Sequence, residues 1–214
     1  MIDQSVDELW RRAQVLMGAG ETTTARGVLE ALLQRQPGHA AAHMTLNHIA
    51  WADGRVRDAA RHALDAARDP PAEPMSIIAV AMALLRVGET LAARTCLEHP
   101  ALVQADTGPV MMYHAGVRRE LGEDVESLKL LNRAHELRVD GAEFRFARGL
   151  EFLICGHPQE AEADFEASLR MDPAACAATL ELARLRKQTP DHNHLDDFSR
   201  RRSLVAQGSP DHAA

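Results

Sequence analysis

Five glycines recur at one fixed interval. Gly20, Gly54, Gly88, Gly122 and Gly156 are each 34 residues from the next. With 13 glycines in 214 residues, chance sets five in such a register roughly 3 times in 100,000, so the period marks a repeated supersecondary unit. Five residues after each glycine stand Ala25, Ala59, Ala93, Ser127 and Ala161. Seven before stand Ala13, Asn47, Ala81, Ala115 and Gly149. Small residues on both sides of a glycine let two antiparallel helices approach closely. Glycine ends the first helix because it tolerates positive φ. Pro37, Pro71 and Pro173 fall 17 residues after their glycines and end the second, since proline cannot continue a helix. Leu9, Leu16, Leu29 and Leu32 in the first unit, and Phe152 and Phe165 in the fifth, lie at helical spacing and fill the seam.

Composition agrees with an all-α chain. Hydrophobic residues make up 46% but aromatics only 4%, which disfavours a β-sandwich or barrel. Ala, Leu, Arg and Glu dominate, and these are helix formers. No stretch of 18 apolar residues offers a membrane span. The acidic start MIDQSVDELWRR lacks the apolar region of a secretory signal. Three cysteines, none in a C-x-x-C pair, suit a reduced cytoplasmic setting.

With these positions in place, the chain resembles the tetratricopeptide repeat (TPR) family. The resemblance covers units 6–39, 40–73, 74–107, 108–141 and 142–175. The fifth matches best, through Gly149, Phe152, Gly156, Ala161, Phe165 and Pro173. It implies an α-solenoid of five helical hairpins. Helix 176–188, with Leu182 and Ala183, is the expected cap on the last apolar face, completing a repeat domain over 1–189. Units three and four depart from the pattern, with Ala105 and Val139 in place of the closing proline. Pro100 is expected to end a short helix near His99, followed by an irregular link over 100–109 and a break in regularity.

Beyond Pro190, residues 190–214 read as an amphipathic helix and a tail. Leu195, Phe198 and Val205 are spaced for one face, and self-association through 194–207 is a further expectation. The stretch LARLRKQTPDHNHLDDF also resembles the junction after the repeats of bacterial TPR-containing sulfotransferases. That resemblance implies an alternative function, the repeat domain or a stand-alone relative of such an enzyme. A nucleotide-binding α/β domain following Ala214 would decide for it.

Chemical motifs are weak. Gly18-Ala-Gly20-Glu-Thr-Thr-Thr looks like a phosphate loop but follows a helix and lacks lysine. A helix–helix turn with Thr22 or Thr23 capping the next helix is the better reading. His192 and His194 with Asp191, Asp196 and Asp197 form the densest metal-like cluster, without a third and fourth ligand at a diagnostic spacing. Asp191 or Asn193 more simply caps a helix. His39 and His43 straddle a turn and read as surface histidines. Cys96, Cys155 and Cys176 read as small buried apolar groups. No triad order, paired-carboxylate motif or HExxH appears. The reading is therefore a non-enzyme with no metal and no cofactor. Arg184, Arg186, Lys187, Arg200, Arg201 and Arg202 make a basic cluster. The chain carries a net charge of −7 and few aromatics near that cluster, so a solvated face or an acidic protein contact is favoured over nucleic acid.

The resemblance also points to a surface. In TPR arrays the fifth and ninth positions of each unit face a concave groove. Here the partner-binding groove comprises Trp10, Met44, His48, Ile78, Met82, Met112, Phe146 and Leu150, with Gln14 and Gly116 completing the pairs. Met17, Trp51, Leu85 and Leu153 add to it. Met-rich surfaces adapt to partners. Gln14, Thr45, Ala79 and Ala147 do not supply the cationic clamp of the chaperone-tail variety. The expected partner is a protein or peptide with apolar anchors, neither nucleic acid nor membrane.

Overall fold

A computed structural model describes residues 5–186. They form twelve helices and no strand: α1 (Val6–Gly18), α2 (Thr22–Arg35), α3 (Ala40–Ala52), α4 (Val56–Arg68), α5 (Pro74–Arg86), α6 (Thr90–Leu97), α7 (Pro100–Val103), α8 (Gly108–Glu120), α9 (Asp124–Glu136), α10 (Ala142–Ile154), α11 (Pro158–Met171) and α12 (Cys176–Leu185). Helices α1/α2, α3/α4, α5/α6, α8/α9 and α10/α11 make the five expected hairpins. The chain divides into two compact units at Ala105–Asp106, inside the stretch where the repeat pattern lapses.

The glycine register has a direct physical cause. All five glycines have φ between 72° and 84°. Each sits one residue past a helix C-cap in a Schellman turn. After α1, the Gly20 amide donates to the Met17 carbonyl at 3.1 Å and the Glu21 amide to Leu16 at 2.9 Å. The pair recurs at Gly54 with Trp51 and Arg55 with Ala50, and in the other three hairpins. Because this turn makes Glu21 the N-cap, Thr22 and Thr23 lie inside α2 and no side chain caps it. The expected threonine cap is thus corrected.

The small residues meet as anticipated. Ala13, Ala25, Asn47, Ala59, Ala81, Ala93, Ala115, Ser127, Gly149 and Ala161 are all buried. Asn47 is held by two bonds: its side-chain amide donates to the Ala59 carbonyl at 2.7 Å, and its oxygen accepts from Arg86 at 2.8 Å. At Gly149 a Cβ would lie 2.6 Å from Cε1 of Phe165. The glycine there is set by ring packing rather than by φ.

In the first of the two compact units (Met1–Ala105), Leu9, Ala13, Val28, Leu29, Leu32, Ala42, Leu46 and Ile49 form a core. In the second, one core gathers Met111, Ala115, Leu131, Ala134 and Phe144, and another Ala161, Phe165, Leu169, Ala178 and Leu182. Helix α12 covers the last apolar face through Ala178 and Leu182. It ends at Leu185. The readings on 187–214, including His192, His194 and 194–207, lie outside the described residues.

Two details at the lapsed units differ from expectation. The link 100–109 is irregular only over 104–107. Pro100 opens the one-turn helix α7, whose amide at Ala101 is accepted by Nδ1 of His99 at 3.2 Å, and Leu102 is buried. Proline is well placed at a first helical position, where its missing N–H costs nothing. In unit four, Arg138 takes the place of a capping glycine, at φ 70°. Its amide donates to His135 and that of Val139 to Ala134, each at 3.0 Å. An L-residue there costs about 1 kcal/mol. Arg138→Gly is accordingly expected to stabilise the protein by about 0.5–1 kcal/mol in urea unfolding; a loss of stability would contradict this turn.

Candidate functional site

The first helix of each hairpin carries the candidate surface, and its N-terminal cap sets its rotation. At α1, Oγ of Ser5 accepts the Glu8 amide at 3.2 Å and the Glu8 carboxylate accepts the Ser5 amide at 3.1 Å. This capping box starts the helix so that Leu9 and Ala13 face inward. Trp10 and Met17 are half-buried beside them, against the core. At α3, Nδ1 of His39 accepts the Ala42 amide at 3.1 Å, and its ring lies 5.1 Å from that of Trp10. At α5, the Glu73 carboxylate accepts the amides of Met75 and Ser76 at 3.0 and 2.6 Å. Those bonds, Met75 first, hold the carboxyl below its usual pKa.

In the first unit an open cavity of about 450 Å³ is lined by Trp10, Gln14, Met17, Met44, Thr45 and His48, with Ala13 at its floor. Met44 is half-buried and His48 exposed. On α5 the set divides. Met82 is 52% exposed, whereas Ile78 is 1% exposed and sits in the core. Every residue of α5 from Ile77 to Leu85 is apolar, so its sequence has no polar stripe to say which side turns outward. Trp51 is exposed and stacks under the Arg86 guanidinium, 4.9 Å from the ring centre.

In the second unit Met112, Phe146 and Leu150 are half-buried and pack on their cores. Phe146 lies 5.7 Å from Phe165. A smaller cavity, about 240 Å³, is lined by Met112, Gly116, Arg119, Leu131, Phe144 and Ala147, together with Ser127, Glu143 and Glu151. Glu151 is wholly buried. The nearest cation, Nε of Arg119, stands 3.8 Å from Oε1. Burial raises the Glu151 pKa, and Arg119 opposes the rise. A carboxyl whose folded pKa exceeds its unfolded one binds more protons when folded, so stability falls as pH rises above about 4.5. Glu151→Gln should remove that decline, so its stability relative to wild type should rise between about pH 4 and pH 8 in urea unfolding. Identical pH profiles for both proteins would refute this.

Other sequence expectations change. His43 is buried, not superficial: Nε2 lies 2.7 Å from the Pro37 carbonyl and Nδ1 3.1 Å from Nδ1 of His62. Burial first, then Arg61 and His43, lower the His62 pKa to about 4. The sequence missed this pair because residues 19 apart meet only when the hairpin closes. Cys96 and Cys176 are buried, but Cys155 is only half-buried; all three are free thiols. Burial pushes the Cys96 and Cys155 thiols up, away from nucleophilic thiolates. Arg184 pairs with Glu181 at 2.7 Å, and Arg186 with Glu162 at 2.5 Å and with Glu166. The described part of the basic cluster is thus engaged by the chain's own carboxylates. Exposed Val56, Leu91 and Val125 stand at the starts of second helices, away from the predicted set.

The same arrangement of hairpins is found in solved structures. A TPR protein from Parabacteroides merdae superposes with a TM-score of 0.65 at 14% identity, covering 92% of this chain and 76% of that one. This chain has the TPR fold. YrrB, described as a TPR protein with an unusual peptide-binding site, matches with a TM-score of 0.63 at 12% identity, over 81% of this chain and 90% of its own. MamA matches with a TM-score of 0.60 at 14% identity, over 75% of this chain and 94% of its own. No protein-family model matches the sequence, and no curated protein matches it. The likeness of this TPR chain to its neighbours is one of fold. None of these neighbours is described as a sulfotransferase.

Proposed function

We propose that this chain is a non-enzymatic, cytoplasmic protein-interaction module. Its first helices bind a partner helix or peptide through apolar anchors, at Trp10, Met44, His48 and Met82 in one unit and Met112, Phe146 and Leu150 in the other. The observation that carries the reading is the open cavity of the first compact unit, where the apolar side chains of Trp10, Met17 and Met44, from successive hairpins, share one lining with Gln14, Thr45 and His48. Soluble proteins seldom leave such grooves without use. Ile78, being buried, supports the surface from beneath. A peptide-binding site is also part of the description of YrrB. Three free thiols suit a reducing compartment. No helix among the described residues is long and apolar enough to cross a membrane.

Selection from a displayed library of random peptides tests the proposal. The expected winners carry apolar residues at i, i+3, i+4 and i+7, the spacing of a helix laid in a groove. Peptides chosen for a free terminal carboxylate, without apolar anchors, would overturn it.

A further inference from the structure

Helices α3 and α4 bring together three side chains that the apolar surface does not use. His43, His62 and Asp65 each offer one ligand atom, and the three atoms lie within 4.8 Å of one another. Asp65 follows His62 by three residues, so both stand on one face of α4. His43 reaches them from α3 and is 6% exposed.

The hydrogen bonds assign the histidine protons. A carbonyl oxygen only accepts, so Nε2 of His43, 2.7 Å from the Pro37 carbonyl, carries a proton. Nδ1 of His43 then presents its lone pair to Nδ1 of His62, 3.1 Å away. Without an ion, His62 donates its Nδ1 proton across that gap. An ion bound tetrahedrally at 2.0–2.1 Å from two imidazole nitrogens holds them about 3.3 Å apart. The observed gap is close to that value.

We propose that Nδ1 of His43, Nδ1 of His62 and the Asp65 carboxylate bind a divalent transition metal, with a fourth position for water. Two imidazoles and one carboxylate, without thiolate, suit zinc, cobalt, nickel or copper(II) rather than calcium or magnesium. The bond from His43 to Pro37 is the outer contact by which metal-ligating histidines are oriented. On binding, His62 moves its proton from Nδ1 to Nε2, so the ion replaces a hydrogen bond and no net proton leaves. The flanking charges are Arg61 and Asp58 on α4, with Arg68 2.7 Å from Asp65. Arg68 is exposed, so it yields the carboxylate at little cost. The ion would tie α3 to α4 across 19 residues. This inference departs from the sequence reading, which assigned no metal, and it is independent of the apolar surface.

Tag-free full-length protein titrated with zinc chloride provides the test, by calorimetry and by melting temperature. One ion per chain and a higher melting temperature are expected. His192→Ala/His194→Ala should bind as wild type. Asp65→Asn should bind at least tenfold more weakly and His62→Gln should not bind, both with wild-type circular dichroism in the absence of metal. Cobalt(II) bound to wild type should give the intense visible bands of a four-coordinate ion, absent in His62→Gln. No binding at millimolar zinc would overturn the site. Binding retained in His62→Gln but lost in His192→Ala/His194→Ala would overturn it too. If His62→Gln misfolds, the cobalt spectrum and Asp65→Asn decide: octahedral, weakly coloured cobalt with unchanged Asp65→Asn affinity refutes the proposal.

Discussion

Phe165→Ala should destabilise the second unit by about 3–5 kcal/mol, the usual cost of emptying an aromatic site in a core. Phe165 is wholly buried among Ala161, Leu169, Ala178 and Leu182. Its ring touches Phe146 on one helix and lies so close to Gly149 on the same helix that a single added methyl would clash. One side chain therefore joins α10, α11 and α12. The second unit should melt at lower temperature, while a probe of the first, such as the fluorescence of Trp10 and Trp51, moves less. Gly149→Ala should act on the same ring by overfilling, at about 1–3 kcal/mol. A loss below 1 kcal/mol for Phe165→Ala would mean that this core is not as described.

Asp164→Ala is the second large effect, also about 3–5 kcal/mol, because it strands a buried cation. The carboxylate accepts from Arg148 Nε at 2.6 Å and Nη2 at 2.8 Å, and from Arg145 Nη1 at 2.9 Å. Arg148 is buried and its guanidinium lies over Phe144 and Phe152, 5.7 and 5.5 Å from the ring centres. Its side chain is only 9% exposed, so loss of the carboxylate leaves the cation largely desolvated. Arg145 keeps Asp140 as a partner at 2.6 Å, so the penalty falls on Arg148. Replacing both partners, as Arg148→Met with Asp164→Leu, should recover most of the loss, since apolar isosteres avoid the desolvation cost. Additive losses in the double variant would contradict this account of the pair.

The hairpins were legible because their determinants are local. A glycine at positive φ and two small residues at fixed offsets recur wherever the chain must turn and pack on itself, and Gly20 and Asn47 behave as their spacing requires. What escaped is what depends on partners far along the chain. Nothing in the neighbourhood of Arg138 announces that it must take a glycine's backbone conformation. His43 and His62 become neighbours only when α3 and α4 pair. Glu151 has an ordinary helical context and yet is wholly buried. On α1 the amphipathic spacing was enough to set Trp10 and Met17 half-buried beside Leu9 and Ala13. Spacing was not enough on α5, where an unbroken apolar run hides the difference between buried Ile78 and exposed Met82.

The most direct test of the proposed function is calorimetric titration of a library-selected apolar peptide into wild type, Met82→Glu and Met112→Glu. Anchor sites in apolar grooves are worth about 1–3 kcal/mol each. Binding should weaken at least tenfold in each glutamate variant while helical circular dichroism is retained. Arg200→Ala/Arg201→Ala/Arg202→Ala should change mainly its salt dependence. Undiminished affinity in both glutamate variants, with binding lost in the arginine variant instead, would contradict the account and leave the apolar residues as core alone.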